Sequence, residues 1–182
     1  MRLLLPVAAV LLSACAATPR TGTTPPDPSA TAQPVEFAQT GTTSEAEAVL
    51  ASASGSLVSG RAILRAEQGA VRVSGEVGGL IPHGAHGLQV HEKGDCSAAD
   101  ASSAGPFFDP LEGFDQRGAV GANPGRIFAD ERGVARVDLV IPGAVLGGGA
   151  ANDITGRALL VLGATPGAFS ARVACGEIRV AP

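Results

Sequence analysis

Residues 85–110 open with Ala85-His86-Gly87-Leu88-Gln89-Val90-His91-Glu92-Lys93-Gly94-Asp95-Cys96. A run of small residues follows, and the stretch closes with Ser103-Ala104-Gly105-Pro106-Phe107-Phe108-Asp109-Pro110. Two of the chain's three histidines and one of its three cysteines fall here. Successive side chains of a strand point to opposite faces, so Leu88 and Val90 share one face and Gln89 and His91 share the other. The apolar pair belongs to a core. Gln89 and His91 therefore face away from it, toward whatever loop covers them. Beyond Glu92 the alternation stops, and residues 93–125 carry none. A loop of that length in a compact domain is usually functional, or descends from something functional. A strand handing a histidine to a long loop that carries a cysteine is the setting in which metal sites are built.

Upstream, Leu57–Ala66 places Val58, Gly60, Ala62, Leu64 and Ala66 on one small or apolar face. Glu67-Gln68-Gly69 is a turn signal. Val71, Val73 and Val77 then alternate inward, so the two runs predict a hairpin. Ala46–Leu50 alternates weakly and reads as a first strand. Downstream, Arg126–Ala129 and Val134–Val140 flank Asp130-Glu131-Arg132-Gly133 as a second hairpin. Pro142–Asn152 is a Gly/Ala-rich crossing loop. Ile154–Leu162 reads as a mostly apolar strand, Gly163–Ala171 as a short loop and Arg172–Val180 as the last strand. Seven or eight short strands joined by turns predict an antiparallel sandwich or flattened barrel.

The chain has 182 residues, of which 45% are apolar, with no Trp or Tyr. That is enough for one domain with a core and further segments. The net charge of −4 comes without any Lys/Arg cluster, which excludes a nucleic-acid face. Arg2, the apolar run Leu3–Leu12 and then Ser13-Ala14-Cys15 read as an export signal of the bacterial lipoprotein kind, residues 1–15. Cys15 is the expected lipidation site. The expected location is the bacterial cell envelope, on the outer membrane or in the periplasm if the cell is Gram-negative. Residues 16–44 are rich in Thr, Pro and Ala and bury too little to order themselves, so a flexible tether is expected before a domain at 45–182. Export leaves Cys96 and Cys175 in an oxidising compartment, either as a disulfide or as two buried thiols.

Several stretches taken together resemble the copper/zinc superoxide dismutase family. They are Leu80-Ile81-Pro82, His86–Glu92, Gly94-Asp95-Cys96, Ser103–Pro106, Asp109-Pro110, Gly156–Val161 and Arg172–Gly176, in the family's order. The resemblance covers roughly residues 45–181. It implies an all-β Greek-key barrel of about eight strands and a Cys96–Cys175 disulfide. It also implies copper held by histidines outside the barrel, with zinc beside it, and an arginine at Arg172 that guides the anion. His86 matches a structural histidine whose ring bridges backbone groups.

The ligand positions fail one after another. The family's histidine pair is Gln89-Val90-His91 here, and an amide is a poor replacement for imidazole toward copper. Phe107 stands where the histidine shared by both metals belongs, and Leu162 where the last copper histidine belongs. Residues 111–120, which would carry the further zinc histidines, contain none, and Ala122 stands at the zinc aspartate. Of seven ligand positions only His91 is retained. No cofactor is therefore expected, beyond weak copper binding. The expectation is an envelope-anchored module that has left dismutase chemistry and acts in structure or binding. The alternatives are a divergent dismutase, or a weak copper binder using His91 with His86 or His83. The sequence names no protein partner and no oligomeric state beyond a membrane contact through the lipid.

Overall fold

The computed structural model describes residues 37–111, 125–163 and 171–181. Residues 1–36, which hold the expected signal, Cys15 and most of the expected tether, lie outside the described residues, as does Ala122. Eight strands follow in chain order: β1 Glu45–Ser52, β2 Ser59–Glu67, β3 Ala70–Gly78, β4 Ala85–His91, β5 Gly125–Phe128, β6 Ala135–Pro142, β7 Ala158–Leu162 and β8 Arg172–Val180. All the pairings are antiparallel. The spatial order is β5-β4-β7-β8-β1-β2-β3-β6, so β3 lies beside β6 and β4 beside β7. These crossovers make a nearly closed barrel, as the alternating pattern led us to expect, with the Greek-key order that the resemblance implied. The second hairpin expected from Arg126–Ala129 and Val134–Val140 does not form: β5 pairs with β4, and β6 crosses to pair with β3.

Alternation explains the interior. Ala46, Ala48 and Leu50 of β1, Ala62 and Leu64 of β2, and Val71, Val73 and Val77 of β3 are buried in one cluster with Leu88, Val90, Leu159 and Val161. The β2–β3 hairpin turns through Gln68-Gly69, where Gly69 takes a φ of 69° that a side chain would resist. The turn before β6 is organised by Asp130, whose carboxylate accepts from the amides of Arg132 and Val134.

β7 departs from the reading of an apolar strand beginning at Ile154. It begins at Ala158. Residues 154–157 instead form a turn, closed by the Arg157 amide donating to the Ile154 carbonyl at 3.3 Å, with Gly156 at a φ of 76°. Ile154 is fully buried all the same. Its apolar character reflects a plug at the end of the barrel, which periodicity alone does not separate from a strand.

Every residue of β7 is buried. Leu159 and Val161 face the barrel interior. Ala158 and Leu160 face outward into a second apolar cluster with Ala53, Ala101, Ala104 and Cys175, against which Cys96 packs. The long loop after β4 therefore lies over the outside of β7 and β8.

Candidate functional site: the loop-covered face of β4 and β7

The loop is held to this face at four kinds of contact. The Cys96–Cys175 disulfide joins its start to β8, with the Cα atoms 5.8 Å apart. Arg172, the first residue of β8, donates from Nη1 to the Ala101 carbonyl at 2.6 Å and from Nη2 to the Gly105 carbonyl at 2.7 Å. The returning arm of the loop continues the β4 ladder. The Glu92 amide donates to the Pro106 carbonyl, the Lys93 amide to the Ala104 carbonyl, and the Phe108 amide to the Val90 carbonyl, at 2.9–3.0 Å. His91 and Phe107 pair as an antiparallel bridge. Finally, the His91 side chain donates from Nδ1 to the Gly105 carbonyl at 2.9 Å. Arg172 and His91 thus converge on one carbonyl oxygen.

A carbonyl only accepts, so this contact places the imidazole proton on Nδ1 and leaves a lone pair on Nε2. His91 is 4% exposed. Its Nε2 is buried and has no hydrogen-bond partner among the described residues. Burial holds its pKa below the ordinary histidine value; the Gly105 contact opposes the shift and the Arg172 charge adds to it.

His86 lies on the other face of β4, with Leu88 and Val90. It is buried, and its Nδ1 donates to the Leu162 carbonyl of β7 at 3.0 Å, tying the two strands together. Its Nε2 also lacks a partner among the described residues. His83 sits in the exposed turn before β4 with a φ of 58°. His86 and His91 are five positions apart on one strand, about 16 Å at the usual strand rise, and on opposite faces. No single ion could meet both rings.

Gln89 is half-buried on the same face as His91. Phe107 is half-buried, and Leu162, paired with Gly87 across β4–β7, is buried. The described ligand positions therefore offer one imidazole, one amide and two hydrocarbons. Among the described residues, no group of three His, Cys, Asp or Glu side chains is arranged to hold a metal ion.

Sequence reasoning gave Arg157 no role beyond membership of a motif. The structure gives it several. Its Nε donates to the Asp153 carbonyl at 2.7 Å and its Nη1 to the Glu92 carbonyl at 2.9 Å, and its guanidinium lies 3.5 Å from the centre of the Phe108 ring. It joins the crossing loop to the end of β4 beside the site. An arginine inside an apolar run, directly after a glycine, was the available signal.

These features define a Greek-key β-barrel whose outer face carries a long loop pinned by a disulfide and by an arginine. The family model described as copper/zinc superoxide dismutase (SODC) matches residues 58–178, more than half of the chain. The chain belongs to the copper/zinc superoxide dismutase family. The matched span reaches from just before β2 into β8 and includes the whole loop-covered face.

Proposed function

We propose that this is an envelope-anchored lipoprotein whose superoxide dismutase-like domain has lost its metal centre and serves as a structural or binding module. One observation carries the proposal. At the family's ligand positions that the structure describes, His91 is the single imidazole, and Gln89, Phe107 and Leu162 occupy the others. A redox-active copper held by nitrogen needs several imidazoles aimed at one point. The chain has only three histidines; His86 lies on the opposite face of β4 from His91, and His83 sits in the exposed turn before that strand. The residues present do not fit the family's copper.

What supports a retained scaffold role is the hardware around the site. The disulfide, the Arg172 fork and the His91–Gly105 bond all act on the loop itself. Arg172 places one donor from each of Nη1 and Nη2 on a loop carbonyl. The anchoring part of the reading rests on Arg2, Leu3–Leu12 and Ser13-Ala14-Cys15.

The test is to express the whole chain in a lipoprotein-processing host, extract it and measure bound copper and zinc after loading. Superoxide consumption is compared with free-ion controls. The expected result is less than stoichiometric copper and no turnover above the controls. Stoichiometric copper with turnover would overturn the loss of chemistry. The bare Nε2 of His91 favours one second reading, weak copper binding without turnover; copper that disappears in His91→Ala would establish it. A gain-of-function arm checks the reasoning. Gln89→His, Phe107→His and Leu162→His together return three imidazoles to the His91 face, and copper retention should rise sharply over the parent. Anchoring is read separately, from acylation of Cys15 and its loss in Cys15→Ser.

A further inference from the structure

Seven residues of the segment assigned by composition to the tether, 37–43, are built into the end of the barrel. The Asn152 side chain is the reason. It is 2% exposed. Its Oδ1 accepts from the Ala38 amide at 2.9 Å, and its Nδ2 donates to the Ala38 carbonyl at 2.8 Å and to the Gly143 carbonyl at 2.6 Å. One amide side chain thus satisfies both backbone groups of Ala38, as a strand partner would, and ties them to the crossing loop. Further along, the Thr43 amide donates to the Leu146 carbonyl at 3.0 Å and the Thr42 amide to the Gly147 carbonyl at 3.4 Å.

The backbones approach closely between these points. A Cβ added at Gly41 would lie 1.9 Å from the Leu146 carbonyl oxygen, and one added at Gly147 would lie 2.5 Å from Thr42 Oγ1. At Gly41 the backbone of Leu146 leaves no room for a side chain, and Gly147 takes a φ of 75° that favours glycine. The loop beneath is itself fixed. The Asp153 carboxylate accepts from the amides of Gly147, Gly149 and Thr155 at 2.8–2.9 Å, and Ala144, Val145, Leu146 and Ile154 are buried under it.

We propose that residues 37–43 are a strap, latched by Asn152, that docks on the 143–153 loop and opens without unfolding the barrel. Among the described residues, its hydrogen bonds go to the 143–153 loop and, from Thr43 Oγ1, to the Glu45 carbonyl at the start of β1, whereas β1 to β8 are held by continuous ladders. Segments of that kind open locally at lower cost than the core. Released, the seven residues would add up to about 25 Å of reach at full extension. On the reading that Cys15 is lipidated, that length adds to the chain available between lipid and barrel. The strap itself does not depend on that reading.

Amide hydrogen exchange of the whole chain, resolved by residue, tests the proposal. In the wild type, the amides of Ala38 and Thr43 should be protected relative to an open chain, yet exchange faster than the central amides of β1 and β2. Gly41→Ala pushes the strap from its own side and leaves the barrel and Asn152 intact. It should speed exchange at Ala38 and Thr43 by at least about tenfold, the scale expected for losing one or two net hydrogen bonds. The β1 and β2 amides should be unchanged. Asn152→Asp, which can still accept from the Ala38 amide but sets a carboxylate against the Ala38 carbonyl, should do the same at Ala38. Open-chain rates at Ala38 and Thr43 in the wild type would overturn the strap. Exchange of strap and core at one common rate, or no effect of Gly41→Ala, would overturn its independent opening. Acylation of Cys15 is a separate readout, so failure of the anchor reading leaves these results standing.

Discussion

Replacing His91 with phenylalanine separates a loop pin from a metal ligand. In the wild type, the ring makes one hydrogen bond, Nδ1 to the Gly105 carbonyl, and keeps Nε2 buried without a partner among the described residues. His91→Phe removes a net contribution of about 1 kcal/mol from the bond. Gly105 is not stranded, because its carbonyl still accepts from Arg172 Nη2 at 2.7 Å. The same change removes a buried, unpaired acceptor that costs about 1–3 kcal/mol. The balance at pH 7 lies between no change and a gain of about 2 kcal/mol.

Acid widens the difference. The folded-state pKa of His91 is lowered, chiefly by burial, so the unfolded chain takes up the proton first. Wild-type stability from this group is therefore fully present above the unfolded pKa near 6.5. It falls as the pH drops below that value, at up to about 1.4 kcal/mol per pH unit, and levels off once the folded protein is protonated too. The lowered pKa values of Asp95, Asp100 and Asp130 are held by hydrogen bonds from Ser97, Ser102 and Val134 respectively, and those groups act below the ordinary carboxylate value of 3.8. They lie outside the window from pH 6.5 to 5 in which His91 acts. Urea unfolding of the disulfide-intact protein at pH 7.5 and pH 5 measures both effects. His91→Phe should match or exceed the wild type at pH 7.5 and lose less stability on going to pH 5. A variant more than about 2 kcal/mol weaker at pH 7.5, beyond the loss of one hydrogen bond, would refute the reasoning, because it would mean that Nε2 has a partner that matters.

Two further outcomes follow from the loop's other attachments. Arg172→Ala removes two charge-assisted bonds to the Ala101 and Gly105 carbonyls and should lower stability by about 2–4 kcal/mol. Amide exchange should accelerate in residues 101–108 before it does in β3 or β6, and an unchanged loop would show that the fork holds nothing. Replacing Cys96 and Cys175 together by serine opens a loop with a sequence separation of 79. The chain-entropy relation gives about 4–5 kcal/mol for a closure of that size, on the order of 15 °C in calorimetric Tm for a domain of this length. A shift of only a few degrees would mean that the unfolded chain was little constrained by the bridge.

Much of the barrel was legible because β-strand alternation is a local signal. Val71, Val73 and Val77 and, in the next strand, Leu88 and Val90 announce their inward face by spacing alone, and all five are buried. The parity that sends His91 outward came from the same spacing. Ile154 misled because a buried plug and a buried strand share a composition. The strap was hidden for the opposite reason. Ala38, Gln39 and Thr40 have tether-like composition, and what orders them is an amide 114 positions away in sequence.

By itself, the sequence determined what donors the chain can offer. It has three histidines, an amide at position 89, and hydrocarbon side chains at positions 107 and 162. No folding can add an imidazole, so this inventory limits the chemistry before any coordinate is known. Tertiary structure decided how the remaining groups are used. That Arg172 and His91 meet on the Gly105 carbonyl, that the loop buries the outer side of β7, and that Asn152 captures Ala38 are contacts between residues distant in sequence. They exist only once the Greek-key crossovers have brought β4, β7 and β8 side by side, because hydrogen bonds and burial act through space and not along the chain.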